Sequence, residues 1–344
     1  MKILIGLLAI AFIVWMYGSA IRDIYRAFKV RGFLKALKKL EKEAVSDDAA
    51  AIIKAGKKRD LDHFGSLVDA ASPDILRELS IIDFQSPLIE KLAQQNQDNP
   101  RARFLYGNNL IEEAWRIRGG AAGSKVSRKK GETFLSLLRD AELELLRSYE
   151  MDRDFVGVYA PLIRAEMGSS NREKAQQVYN DGHRTAPDQL DYHLNMLTLL
   201  TEKWQGSEGE MFQFARENAE RAASGALKGL IPAAHFEYWL ELEGKEGEEY
   251  FLKPDVQEEI LKAYDGMKDQ TKVHAGGQGF MERHQRHLAL NYFAAVFHFM
   301  DDNNTARSIF EEIGGNYTYR PWANLGIHRD VAFMNYRNKV LKGK

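Results

Sequence analysis

Helical periodicity is the feature that most restricts how this chain can fold. From residue 46 to the C-terminus, apolar residues recur at intervals of three and four positions, which places them on one face of an α-helix. No run of alternating apolar and polar residues is long enough to indicate a half-buried strand. Because short polar connections separate the periodic segments, consecutive helices are expected to pack as antiparallel hairpins. The pattern predicts an all-α fold.

Several local signals mark where the predicted helices start. Pro100 and Pro187 stand at first-turn positions, where proline is tolerated because the N–H it lacks would have no helical partner. Asn171 and Asn303 are typical of residues that begin a helix after a tight turn. The predicted helices span 46–56, 60–71, 73–82, 86–95, 100–118, 129–149, 154–168, 171–185, 188–203, 208–224, 228–243, 254–266, 281–301, 303–313 and 328–341. We expect the acid-rich stretch 241–251 to be a solvated loop.

One stretch, residues 156–189, resembles a single tetratricopeptide repeat, whose period is 34 residues. Tyr159 and Leu162 are the large apolar residues of its first helix. In its second helix, Ala175, Tyr179 and Gly182 give the order small, aromatic, small. Ile163 and Glu166 depart from the pattern, and residues 291–314 hold a weaker copy. We therefore expect an irregular tetratricopeptide-like α-solenoid of helical hairpins.

Four longer stretches follow one another along the chain: AWRIRGGAAGSKV, LLRDAELELLRSYEMD, PLIRAEMGSSNREKAQQVYNDGHRTAPDQLDYHLNMLTLLTEKWQGS and IFEEIGGNYTYRPW. In these stretches and in their order, the chain resembles the bacterial domain of unknown function 4034 family. The likeness covers roughly residues 57–340, with Trp115, Trp204 and Trp322 in its most distinctive parts. The resemblance implies an all-helical, tetratricopeptide-like fold. The family has no established activity, so the resemblance implies no catalytic residues.

The N-terminus predicts a membrane anchor. Residues 3–21 contain no charge between Lys2 and Arg22, and a helix of that length crosses a hydrocarbon core of about 30 Å. Trp15 and Tyr17 lie near its end, where aromatic rings favour the membrane interface. We predict an anchor over residues 1–21. The alternative is a signal peptide cleaved after Ala20, which would release a periplasmic envelope protein.

A basic juxtamembrane helix is expected at residues 22–45. Residues 22–42 carry eight bases against two acids, a flank that marks the cytoplasmic side of a bacterial inner membrane. Contacts with anionic lipid headgroups are assigned to Arg22, Arg26, Lys29 and Arg31. The remaining residues, 46–344, form the predicted all-helical domain in the cytoplasm.

Charge and cysteine content narrow the possible functions. Residues 43–344 hold 39 Lys and Arg against 47 Asp and Glu, a net charge of −8. An acidic body argues against nucleic acid as a partner. The absence of cysteine excludes a disulfide framework, a zinc–thiolate site and a cysteine nucleophile.

The run GGAAGSK, residues 119–125, only partly resembles a phosphate-binding loop. Gly119 and Gly123 are one residue too close together, and Ser124 separates Gly123 from Lys125. The run also follows a predicted helix, whereas a phosphate loop follows a strand. We predict a helix-ending loop, no nucleotide and no cofactor.

The nearest approach to a metal site lies in residues 274–287. His284 and His287 share a helix face, with His274 and Glu282 close in sequence. The glutamate spacing differs from that of zinc hydrolases, and no Ser/His/Asp arrangement is recognisable. We predict that the chain is not an enzyme, and a metal-dependent hydrolase using this region is the alternative.

A concave helical surface is the predicted site of action. Tetratricopeptide-like units curve, and their first helices line a face that binds extended peptides or partner helices. The expected register places Arg164, Met167, Asn195 and Thr198 on that face. The sequence thus predicts a membrane-tethered scaffold or adaptor that binds protein partners.

Overall fold

A computed structural model describes residues 66, 68, 86–120, 123–204, 206–221, 225–273, 280–326 and 329–342. Within these ranges all regular structure is helical and no strand is present, which confirms the predicted all-α class for this part of the chain. The predicted anchor and basic segment, and the predicted helices 46–56 and 73–82, lie outside the described residues. None of the helices in the described ranges is both long enough and apolar enough to cross a bilayer.

Residues 66 and 68 are helical, and thirteen further α-helices have both ends in the described ranges, most of them within a few residues of the predicted bounds. They are α1 (Ser86–Gln95), α2 (Pro100–Arg118), α3 (Arg128–Met151), α4 (Tyr159–Gly168), α5 (Arg172–Thr185), α6 (Leu190–Leu199), α7 (Glu208–Arg221), α8 (Leu230–Trp239), α9 (Gly244–Glu249), α10 (Pro254–Val273), α11 (Phe280–Phe299), α12 (Asn303–Ile313) and α13 (Arg329–Lys342). Short 3-10 turns join several of them, including Gly123–Lys125, Glu202–Trp204 and Tyr250–Leu252.

Helices α2 and α3 form an antiparallel hairpin. Near one end, Ser148 Oγ donates to the carbonyl oxygen of Pro100 at 2.8 Å. Near the other, the rings of Trp115 and Phe134 meet edge to face with centroids 5.1 Å apart. The beginning of α2 therefore pairs with the end of α3, as a short connection between helices requires.

Local capping explains the bounds of α2. The side chain of Asn99 accepts hydrogen bonds from the N–H groups of Arg101 and Ala102, which the first turn would otherwise leave unpaired. Gly119 ends the helix with φ +72, and its N–H donates to the carbonyl oxygen of Trp115. The GGAAGSK run thus follows a helix, as predicted.

Helices α4 and α5 pack at the positions expected from the repeat pattern. Ala175 is fully buried, and a Cβ atom added to Gly182 would lie 3.1 Å from Cγ of Tyr159. The ring of Tyr179 contacts Tyr192 on α6 and Phe214 on α7, with centroid distances of 5.6 and 5.3 Å. The small residues therefore allow α4 and α5 to approach closely, and the Tyr179 ring fills the space against α6 and α7.

The prediction of a loop at residues 241–251 is wrong, although residues 243–246, 248 and 249 are exposed as expected. This stretch contains α9 and the start of the turn Tyr250–Leu252, and both Tyr250 and Phe251 are buried. Their rings pack against Tyr238 and Trp239 at centroid distances of 5.2 and 5.9 Å. Burial of two aromatic rings supplies the hydrophobic free energy that holds the acidic segment against α8.

Candidate functional site

The four predicted groove residues are engaged by the protein itself. Arg164 on α4 donates to both carboxylate oxygens of Glu112 on α2. Asn195 Nδ2 donates to the carbonyl oxygen of Ala160 at 2.7 Å. Met167 and Thr198 are buried. Their assignment to a partner-binding surface stays a prediction.

Thr198 belongs to a polar cluster that links α6 to the C-terminal part of the body. Its hydroxyl donates to the carbonyl oxygen of Leu194 at 3.0 Å and accepts from Nη1 of Arg320 at 2.7 Å. Arg320 also lies 3.8 Å from Glu237 Oε1 on α8. These partners are far apart in sequence, so the cluster was not visible from spacing.

The alternative metal site lies mostly beyond what the structure describes. The side chains of His274, Glu282 and His284 are outside the described residues, whereas His287 is half-buried on α11. Among the described side chains, no group of three potential metal ligands is found. The hydrolase alternative therefore stays untested.

An open cavity of about 850 Å³ lies between α7, α8, α10 and the turn that follows α9. Its charged lining consists of five carboxylates and two cations, a formal net charge of −3: Glu208, Glu217, Glu220, Asp255, Glu259, Arg216 and Lys253. Phe212, Tyr238 and Tyr250 add aromatic rings, and His235 completes the polar groups used below. We call this feature the acidic cavity.

Helical spacing explains how α7 forms one wall of the acidic cavity. Glu208, Phe212, Arg216 and Glu220 are four residues apart, so they follow one another along the same helix face. Residues 208–220 cover twelve intervals, a length of about 18 Å at about 1.5 Å per residue. The wall is therefore elongated.

A chain of hydrogen bonds joins four residues that line the cavity. Arg216 Nε and Nη2 donate to the two oxygens of Glu259 at 2.7 and 2.9 Å. Glu259 Oε2 is 3.2 Å from Nε2 of His235, whose Nδ1 is 2.7 Å from the hydroxyl of Tyr250. The donated bonds from Arg216 and His235 lower the pKa of Glu259 to about 2.

The ionised state of Glu259 sets the direction of its bond with His235. A carboxylate can only accept, so Nε2 of His235 carries the proton. Nδ1 of the same ring pairs with the hydroxyl of Tyr250. Burial raises the pKa of Tyr250, so the phenol keeps its proton.

Sequence reasoning missed the acidic cavity. Residues 241–251 were expected to be solvated, which removed Tyr250 from consideration, and His235 was not distinguished from other core residues. The signals that could have found them are the adjacent rings Tyr250 and Phe251 within an acidic stretch, and the spacing of His235 and Tyr238 on one helix face. Their meeting with Glu259 still depends on the tertiary fold.

No family model, curated protein or solved structure matches this chain. The resemblance to the domain of unknown function 4034 family therefore stays a prediction.

Proposed function

We propose that the chain is a membrane-tethered scaffold or adaptor whose body is an irregular tetratricopeptide-like solenoid. Its acidic cavity binds a cationic segment of a partner protein. The observation that carries the proposal is the combination, in one open cavity, of a −3 charge with three aromatic rings. The tether rests on the uncharged residues 3–21 and the basic residues that follow them.

The cavity has carboxylates to offer a ligand. Glu208, Glu220 and Asp255 are exposed, and no ion pair to them is found among the described residues. Glu259 is instead occupied by Arg216. A bound cation would therefore meet the exposed carboxylates first.

Two basic side chains of the protein itself already lie over aromatic rings of the cavity. The guanidinium carbon of Arg216 lies 5.1 Å from the centroid of Phe212, and Lys253 Nζ lies 5.3 Å from that of Tyr250. Cations are attracted to the faces of aromatic rings at about these distances. A basic side chain from a partner can make the same contact with the part of the Tyr238 ring that faces the cavity.

The length of the cavity wall favours a peptide over a single ion. Its length of about 18 Å corresponds to about five residues of extended chain at about 3.4 Å each. Tetratricopeptide-like arrays commonly bind extended peptides. We therefore expect the ligand to be a short, unfolded, basic stretch of a protein.

The test is a titration of full-length protein in mild detergent with a fluorescent lysine–serine repeat peptide. The variant Glu208→Gln/Glu220→Gln should weaken binding about tenfold, since each rim charge contributes roughly 0.7 kcal/mol at low salt. The control Glu150→Gln/Glu311→Gln removes two exposed carboxylates away from the cavity and should leave the affinity unchanged. Equal loss in both variants would show non-specific attraction and remove support for the cavity. Tighter binding of spermine than of the peptide would indicate a polyamine ligand.

A further inference from the structure

The connection between α2 and α3 concentrates positive charge. Six basic residues lie in the last turn of α2, the turn Gly123–Lys125 and the first turn of α3: Arg116, Arg118, Lys125, Arg128, Lys129 and Lys130. Tertiary packing adds Lys203, because its neighbour Trp204 packs edge-on against Trp115 with centroids 5.5 Å apart. We call these seven residues the basic tip.

The basic tip opposes the charge of the rest of the body. Glu113, Glu132 and Glu202 lie beside these bases, and the first two pair with Arg116 and Arg128 at 3.8 and 2.8 Å, so seven bases and three acids give a net charge of +4. Residues 43–344 as a whole carry −8, so the body without these ten residues carries −12. The tip is a local positive pole on an acidic body, where it creates a field that attracts anionic surfaces.

Three bases of the tip stand where they do not help the fold. The first turn of α3 contains Arg128, Lys129 and Lys130 and no acidic residue. A helix N-terminus carries a partial positive charge and is stabilised by acids, so three bases there are unfavourable. Stability of α3 therefore does not account for their position.

An exposed apolar residue accompanies the charges. Leu135 lies seven residues after Arg128, on the same face of α3, and its exposed fraction is 40%. Cationic side chains beside an exposed apolar one are typical of helices that bind at a membrane interface.

We infer that the basic tip binds the anionic headgroups of the bilayer that the N-terminal segment spans. The inference rests on the proposed tether, which would keep the body within reach of the membrane. Binding at the tip directs the α2–α3 end of the body to the bilayer.

The test uses the absence of cysteine from the chain. A single cysteine at Gly120→Cys, where an added Cβ meets nothing within 4 Å, carries a fluorophore at the tip. Glu150→Cys, exposed near the opposite end of α3 and about 33 Å along that helix from Arg128, is the matched control position. Full-length protein is reconstituted into vesicles of phosphatidylcholine alone or mixed with phosphatidylglycerol, with a headgroup-linked quencher in each.

We expect quenching at residue 120 in the anionic vesicles only, with residue 150 unquenched in both. Lys129→Glu/Lys130→Glu should reduce that quenching at least fivefold, and these changes suit a helix N-terminus, so misfolding would not explain the loss. Lys91→Glu/Lys262→Glu makes the same charge change at exposed positions of α1 and α10 and should have no effect. Quenching that is absent, equal in neutral vesicles, or unchanged in Lys129→Glu/Lys130→Glu overturns the inference.

Two further readouts separate this inference from the proposed function. If the protein floats with anionic vesicles alone and Lys129→Glu/Lys130→Glu abolishes flotation, the tip binds lipid and the tether is wrong. If it floats with both vesicle types without quenching at residue 120, the tether stands and the tip inference fails. Tight binding of duplex DNA that is lost in Lys129→Glu/Lys130→Glu would assign the tip to nucleic acid and overturn the lipid inference.

Discussion

The imidazole of His193 stacks on the ring of Tyr192, with centroids 4.3 Å apart and an interplanar angle of 29°. His193 is fully buried, and its Nδ1 lies 2.8 Å from the carbonyl oxygen of Gln189, to which it donates. Burial among rings penalises the charged imidazolium and lowers the pKa of His193 from 6.5 to about 4. The folded protein therefore holds this histidine neutral.

This burial predicts a loss of stability in weak acid. Above pH 6.5 the histidine is neutral in both folded and unfolded chains; as the pH falls from 6.5 to about 4, only the unfolded chain binds the proton. The free energy of unfolding should decrease by about 3 kcal/mol from this residue alone. The free energy of unfolding can be measured in urea at pH 7 and at pH 4. The decrease between the two pH values should be about 3 kcal/mol smaller in His193→Phe than in the parent protein. An identical pH dependence in the variant and the parent protein would contradict the assignment.

Overpacking the contact between α4 and α5 should destabilise the body. Ala175 is fully buried, so Ala175→Leu must displace its neighbours, at a cost of about 1–3 kcal/mol. Thermal unfolding followed by circular dichroism should show a lower midpoint. The control Gln177→Leu adds leucine at an exposed position of the same helix and should leave the midpoint nearly unchanged. A midpoint unaffected by Ala175→Leu would mean that the site has free space.

Gly119 should be sensitive to substitution because of its backbone conformation. Its φ of +72 is one that residues with a Cβ rarely adopt, although an added Cβ would meet nothing within 4 Å. Gly119→Ala is expected to lower the free energy of unfolding by about 1 kcal/mol. The neighbouring change Gly120→Ala, also in open space and without positive φ, should be neutral. Equal effects in denaturant titrations would rule out backbone conformation as the cause.

Lys125 should have no role in nucleotide binding. It is exposed in the turn Gly123–Lys125, and the preceding regular element is α2 rather than a strand. Calorimetry with Mg-ATP and with Mg-GTP should show no binding, and Lys125→Ala should leave stability unchanged to within about 0.5 kcal/mol. Micromolar binding that disappears in Lys125→Ala would restore the phosphate-loop interpretation.

The C-terminus is expected in the cytoplasm. Eight bases in residues 22–42 oppose translocation of the segment that follows the predicted anchor. A reporter active only in the cytoplasm, fused after Lys344, should be active. Activity of a periplasm-only reporter there, or a mature chain beginning at Ile21, would favour the cleaved envelope protein.

Much of the helical structure was predictable because its causes are local. The segments predicted at 100–118 and 303–313 are the helices Pro100–Arg118 and Asn303–Ile313. Asn99 and Asp302 accept hydrogen bonds from N–H groups two or three residues away, and Gly119 and Gly314 end the helices with positive φ. All of these interactions join residues within one or two turns, so composition and spacing reveal them.

The sequence by itself thus determined the helical class and most helix bounds. Only the tertiary structure decided which polar groups are occupied and which stay open. Arg164 pairs with Glu112 across 52 positions, and His235 meets Glu259 across 24. The burial of Tyr250 likewise depends on rings of α8 rather than on its own acidic neighbours. Such contacts depend on how separate helices pack, and no local periodicity encodes that geometry.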